Sequence, residues 1–245
     1  TPSERWSFSG EIETGRVRDE VNGDFDRWAL SASAQFDNGE DVTGFAKLEY
    51  REEDGLGSAR DRETWLLSMG IDYQTHPSWH FLGSLDLVRS NSAEDDFRDG
   101  DYTRASIGYA YRPVDTDRTN GLVRLTYVDD QPGEDQVSAD GSVDGDRQRS
   151  LVFSADVIHE LTETLTIGAK YGYRKGETAP RGTDTFTQRD AHLGILRLDW
   201  DISHNWAITL EGRAQFDEPS GDISRGGSVA VYRDVGNNVM VGVGY

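Results

Sequence analysis

The sequence predicts an all-β fold: an antiparallel up-and-down barrel that crosses a membrane with its strands. Three observations predict it. Strand after strand alternates apolar with polar residues, short and long connections take turns, and aromatic residues bracket the apolar runs. The alternation is plainest in three segments. Trp28, Leu30, Ala32, Ala34 and Phe36 alternate with Ala29, Ser31, Ser33 and Gln35. Trp65, Leu67, Met69, Ile71 and Tyr73 alternate with Leu66, Ser68, Gly70 and Asp72. Trp206, Ile208, Leu210, Gly212, Ala214 and Phe216 alternate with Ala207, Thr209, Glu211, Arg213 and Gln215. Period two gives a sheet one apolar and one wet face. Charges on the wet face along the whole chain imply a barrel apolar outside and polar inside, as a bilayer requires.

Strands are expected at 6–18, 25–37, 42–52, 62–75, 79–90, 102–112, 121–130, 149–159, 164–175, 187–201, 205–217, 225–233 and 238–245. Short connections follow at 37–41, 75–78, 114–120, 159–164, 203–205 and 234–238. Long, acidic ones lie at 19–26, 52–61, 90–101, 129–147, 176–185 and 217–224. Outer-membrane barrels have this asymmetry, with short periplasmic turns and longer extracellular loops. It runs the first strand outward and places the acidic loops toward the medium. Thirteen strands, within a range of about 12–14, put the first and last in parallel, whereas single-chain bacterial barrels usually have an even number. A fourteenth strand after Tyr245 is therefore expected, and 1–245 reads as one barrel domain.

The aromatics fit a membrane of finite thickness. Trp28 and Phe36 lie eight residues apart, as do Trp65 and Tyr73. That is roughly 27 Å along a strand, or about 20 Å of depth at a barrel's tilt. Trp79, Tyr111, Trp200 and Trp206 sit beside short connections, and Tyr50, Tyr127 and Tyr173 beside long ones. Two such rings form an interfacial girdle.

Composition excludes other classes. Of 245 residues, 35% are hydrophobic, and no stretch approaches the roughly 18–20 apolar residues a transmembrane helix needs. A net charge of −20 argues against nucleic acid as a partner. The absence of cysteine leaves neither a disulfide framework nor a thiolate metal site.

The parity opposite the apolar one assigns Glu11, Glu13, Lys47, Glu49, Arg51, Asp72, Asp86, Arg104, Arg124, Asp156, Lys170, Arg174, Arg197, Asp199, Glu211 and Arg213 to the lumen. A midplane Arg or Lys facing lipid would cost about 2–4 kcal/mol, which supports the set as a whole. Around Arg197 and Asp199 the pattern is mixed, because Leu193 and Ile195 share their parity. The lumen is then close to neutral, and the negative charge resides in loops and turns. Two membrane readings follow: an aqueous pore, or an anchor for a larger envelope assembly whose interior is clogged by paired charges. Glu49 beside Lys47 and Arg51, and Glu211 beside Arg213, permit pairing; the 129–147 loop could fold inward. The competing class is a soluble β-barrel or sandwich that binds a ligand.

No catalytic, cofactor or metal site is expected. His76, His80, His159 and His204 lie at or near short turns and read as interfacial polar residues. His192 has Gln188 and Asp190 nearby, and an outer-membrane hydrolase would need Ser150 or Ser154 to meet it. Asp140–Asp146 is rich in carboxylates and glycines, but its spacing departs from a calcium-binding loop, and it reads as a solvated acidic loop. The partners expected are outer-membrane lipid and lipopolysaccharide, with other envelope proteins or attached domains possible in principle.

The run Tyr109-Ala110-Tyr111-Arg112-Pro113-Val114-Asp115-Thr116-Asp117-Arg118-Thr119-Asn120-Gly121-Leu122-Val123-Arg124-Leu125-Thr126-Tyr127 resembles a hairpin of bacterial outer-membrane β-barrel regions. Those regions lie at the C-terminal end of larger Gram-negative envelope proteins. Val231-Tyr232-Arg233-Asp234-Val235-Gly236-Asn237-Asn238 and Val241-Gly242-Val243-Gly244-Tyr245 resemble the penultimate hairpin of the same group, in which a further strand follows. The resemblance implies a barrel in the outer membrane. It implies no reaction and carries over no functional residues.

Overall fold

A computed structural model of the chain describes residues 4–18, 24–55, 61–92, 100–116, 118–131, 146–180, 183–235 and 239–245. Its strands are β1 (Trp6–Val17), β2 (Phe25–Asp37), β3 (Val42–Gly55), β4 (Arg62–His76), β5 (Trp79–Ser92), β6 (Gly100–Tyr111), β7 (Thr119–Gln131), β8 (Arg147–Thr162), β9 (Leu165–Ala179), β10 (Thr187–Gln188), β11 (Ala191–Ser203), β12 (Trp206–Asp217), β13 (Asp222–Asp234) and β14 (Met240–Gly244). All belong to one antiparallel sheet. The order along it is the order in the chain, from β1 at one edge to β14 at the other, with β10 paired only to β9. This is the up-and-down topology that the alternation predicts.

Two expectations are corrected. The strand expected over 187–201 is broken. Asp190, buried, accepts the Gly176 amide on its Oδ1 at 3.0 Å, and its carbonyl accepts the Glu218 amide at 3.0 Å. The Arg189 amide bonds the Gly176 carbonyl at 2.8 Å. A Cβ on Gly176 would stand 2.8 Å from the Arg189 carbonyl oxygen, so this approach needs glycine. The connection expected to be long at 217–224 is tight: β12 and β13 pair up to Asp217↔Asp222, and Gly221 closes the turn at φ 69°. The sequence Glu218-Pro219-Ser220-Gly221 has the residues such a turn requires.

The turn between β2 and β3 shows how a short connection is held. Asn38 Oδ1 accepts the amides of Glu40, Asp41 and Val42 at 2.9–3.0 Å, while Gly39 takes φ 75°. Asn38→Ala removes that acceptor. It is expected to lower the folding free energy by about 1–2 kcal/mol, measured by urea titration of the folded fraction in lipid vesicles.

Register fixes the faces without reference to hydropathy. Direct partners run Ile12↔Leu30↔Tyr50↔Trp65 on one side of the wall, and Ser33↔Lys47↔Ser68↔Asp86↔Arg104 on the other. The apolar face is open: Ile12 is 77% exposed, Leu196 69% and Leu210 43%. The only buried hydrophobic residues among those described are Phe25, Ala29 and Ala179. A soluble barrel or sandwich would bury its apolar face, so that alternative fails.

Candidate functional site: the inner face of the sheet

The wet face is built from every second residue, and register places each predicted residue on it. Glu11 and Glu13 lie on β1; Lys47, Glu49 and Arg51 on β3; Asp72 on β4; Asp86 on β5; Arg104 on β6; and Arg124 on β7. Asp156 lies on β8, Lys170 and Arg174 on β9, Arg197 and Asp199 on β11, and Glu211 and Arg213 on β12. Where the pattern is mixed, pairing decides: Leu198↔Leu210 and Trp200↔Ile208 occupy the apolar face, so Arg197 and Asp199 share the inner face with Leu193 and Ile195.

The inner charges lie along the wall. Lys47 Nζ and an Arg51 guanidinium nitrogen donate to the two oxygens of Glu49 at 2.8 and 3.0 Å. Arg197 and Asp199 form a two-pronged pair at 2.8 and 2.9 Å, and Thr209 Oγ1 donates to the same carboxylate at 2.6 Å. Lys170 pairs with Asp156 at 2.8 Å and His80 with Asp72 at 2.9 Å. Serines continue the polar rows, with Ser9 to Ser33 and Ser84 to Ser106 both at 2.7 Å. Toward the long-loop end, Arg62 meets Glu53 at 2.7 Å, and Arg27 lies between Glu13 at 3.0 Å and Glu53 at 4.0 Å. Glu211 and Arg213 form no ion pair in the structure, although both are described.

Each girdle residue—Trp28, Phe36, Tyr50, Trp65, Tyr73, Trp79, Tyr111, Tyr127, Tyr173, Trp200 and Trp206—has a register position on the outer face. The rings meet in clusters. Tyr50 lies 5.2 Å from Trp28 and 4.7 Å from Trp65 near the long-loop end; Trp79 lies 5.1 Å from Tyr109 and 4.6 Å from Tyr111 near the short-turn end. Sequence reasoning missed Trp6, which packs on Phe36 at 4.8 Å, and the inward aromatics Phe45 and Tyr232. Their parity, shared with Lys47 and with Ala230, was the available signal.

The histidine read as a hydrolase candidate lies on the wrong face. His192 pairs with Tyr173 and Phe216 on the outside, where Tyr171 Oη and Glu218 Oε1 flank its two nitrogens at 2.8 and 3.1 Å. Ser150 and Ser154 lie on the opposite, polar face, so neither meets it. The 129–147 loop between Pro132 and Gly145, including most of the acidic run 140–146, lies outside the described residues.

Residues 49–189, more than half of the chain, match the model of a protein family described as "Putative MetA-pathway of phenol degradation". The chain belongs to that family. In this member the matched segment runs from β3 to the residues before β11. No curated protein sequence matches it. Among solved structures, it is similar in fold to the siderophore receptor PirA from Pseudomonas aeruginosa, with TM-score 0.71 and 9% identity over 100% of this chain and 45% of that one. It is also similar to PirA from Acinetobacter baumannii, with TM-score 0.65 and 10% identity over 98% and 42%. The ferric enterobactin receptor PfeA matches with TM-score 0.69 and 10% identity over 98% and 44%. The chain thus spans less than half the length of these receptors. This family member has an outer-membrane β-barrel fold with an exposed apolar band.

Proposed function

We propose that the chain forms a polar-lined aqueous pore through the outer membrane, acting as one barrel domain, with short turns on the periplasmic side and long acidic loops outside. One observation carries this reading over a plugged anchor. Every ion pair among the described residues joins residues of one strand, or of neighbouring strands and their flanking turns, and none spans the interior. Ion pairs held along the wall leave the lumen free for water and solute, and a path of thirteen strands is wider than the eight-stranded barrels that side chains fill. The family description names phenol degradation, which makes small aromatic compounds the first solutes to test.

The test is electrical. Protein folded into a planar bilayer should give stepwise openings whose conductance scales with salt concentration. A bilayer that stays silent while protein is inserted, as judged by heat-modifiable migration on a gel, overturns the pore and favours the anchor.

A further inference from the structure

Two inner arginines differ from the other inner basic residues of the β2–β7 wall. Among the described residues, Arg104 on β6 and Arg124 on β7 have neither an ion pair nor a side-chain hydrogen bond. The two carboxylates of their cavity are engaged: Asp86, the direct cross-strand partner of Arg104, accepts the Ser68 hydroxyl at 2.6 Å, and Asp72 holds His80. Both arginines line one cavity of about 600 Å³, together with Phe45, Ser106, Asp72 and Asp86. Phe45 lies against the bare Cα of Gly70, where a Cβ would come within 2.4 Å of its ring. The ring therefore rests on the wall and is 48% exposed on the inner face.

We propose that this inner wall is a binding site for an aromatic carboxylate, with the carboxylate on Arg104 and Arg124 and the ring against Phe45. A guanidinium matches a carboxylate through paired N–H donors, and an unpartnered one gives up no existing pair to do so. An aromatic ring prefers an offset or edge contact with a second ring. The inference deepens the pore reading by naming a solute class and the residues that meet it.

Benzoate, acetate and phenol separate the contributions. Calorimetric titration of the detergent-folded protein should show benzoate bound more tightly than acetate, which lacks the ring, and than phenol, which lacks the carboxylate. Arg104→Gln and Arg124→Gln should each weaken benzoate about tenfold, since a hydrogen bond to a charged group is lost. Phe45→Ala should weaken benzoate and leave acetate unchanged. Arg225→Gln, which removes a cation from the outer face, should leave all three unchanged. Benzoate bound no better than acetate or phenol, or bound equally by the arginine variants that retain heat-modifiable migration, overturns the site. Binding in detergent is read without conductance, so a silent bilayer overturns the pore reading alone, and open channels with no benzoate preference overturn this site alone.

Discussion

Glu53→Ala is expected to destabilise the barrel by about 3 kcal/mol. Glu53 is the most enclosed carboxylate of the long-loop end: its side chain is 8% exposed, and the Arg62 side chain that it holds at 2.7 Å is 11% exposed. Arg27 completes the group, 4.0 Å from Glu53 and 3.0 Å from Glu13. Glu53→Ala takes from Arg62 the carboxylate it holds at 2.7 Å in a poorly hydrated place, and breaking a buried pair costs about 3–5 kcal/mol. Arg27 is 29% exposed and keeps Glu13, which sets the expectation at the lower end. Urea titration of the folded fraction in vesicles reads the effect. A loss below about 1 kcal/mol, the range of exposed pairs, would show that water reaches this cluster freely.

Leu210→Arg and Thr209→Arg make the second large contrast, because they are neighbours on opposite faces. Leu210 pairs with Leu198 and Val229 in the outer band, and Thr209 pairs with Asp199 and Ala230 inside. An arginine near the middle of the lipid face costs about 2–4 kcal/mol. At position 209 the same side chain meets the Asp199 carboxylate, which the Thr209 hydroxyl now contacts at 2.6 Å. Leu210→Arg should therefore depress the folded fraction strongly and Thr209→Arg only slightly. Equal losses would mean that the faces are assigned the wrong way round.

Much of this was legible because alternation and register express the same geometry. Trp28 to Phe36 and Trp65 to Tyr73 display their faces in the order of residues, and pairing then carries those faces from strand to strand. The signal failed where both faces hold apolar residues. Leu193 and Ile195 share the polar face with Arg197, so parity alone gave no side for β11, and only its pairing with β12 did. The break before β11 was hidden because it depends on Gly176 and Glu218, far from it in sequence. The partners of the inner charges were also out of reach. Asp86 stands directly across from Arg104 yet takes a serine hydroxyl, while Glu49 draws two cations from its own strand. Side-chain length and rotamer decide such choices, and strand register does not contain them.

The order of the sheet has a consequence for how this wall can change. Each long strand bonds only to the strands before and after it in the chain, and β10 adds a short flap without entering the path. Among the described residues no pairing joins distant segments, so each ladder closes only the connection between its own two strands. Adding or deleting one hairpin would alter the circumference while leaving the other ladders and their inner charge pairs intact. The wall is modular in units of two strands, and its bore can be retuned by hairpin number without redesigning any one strand.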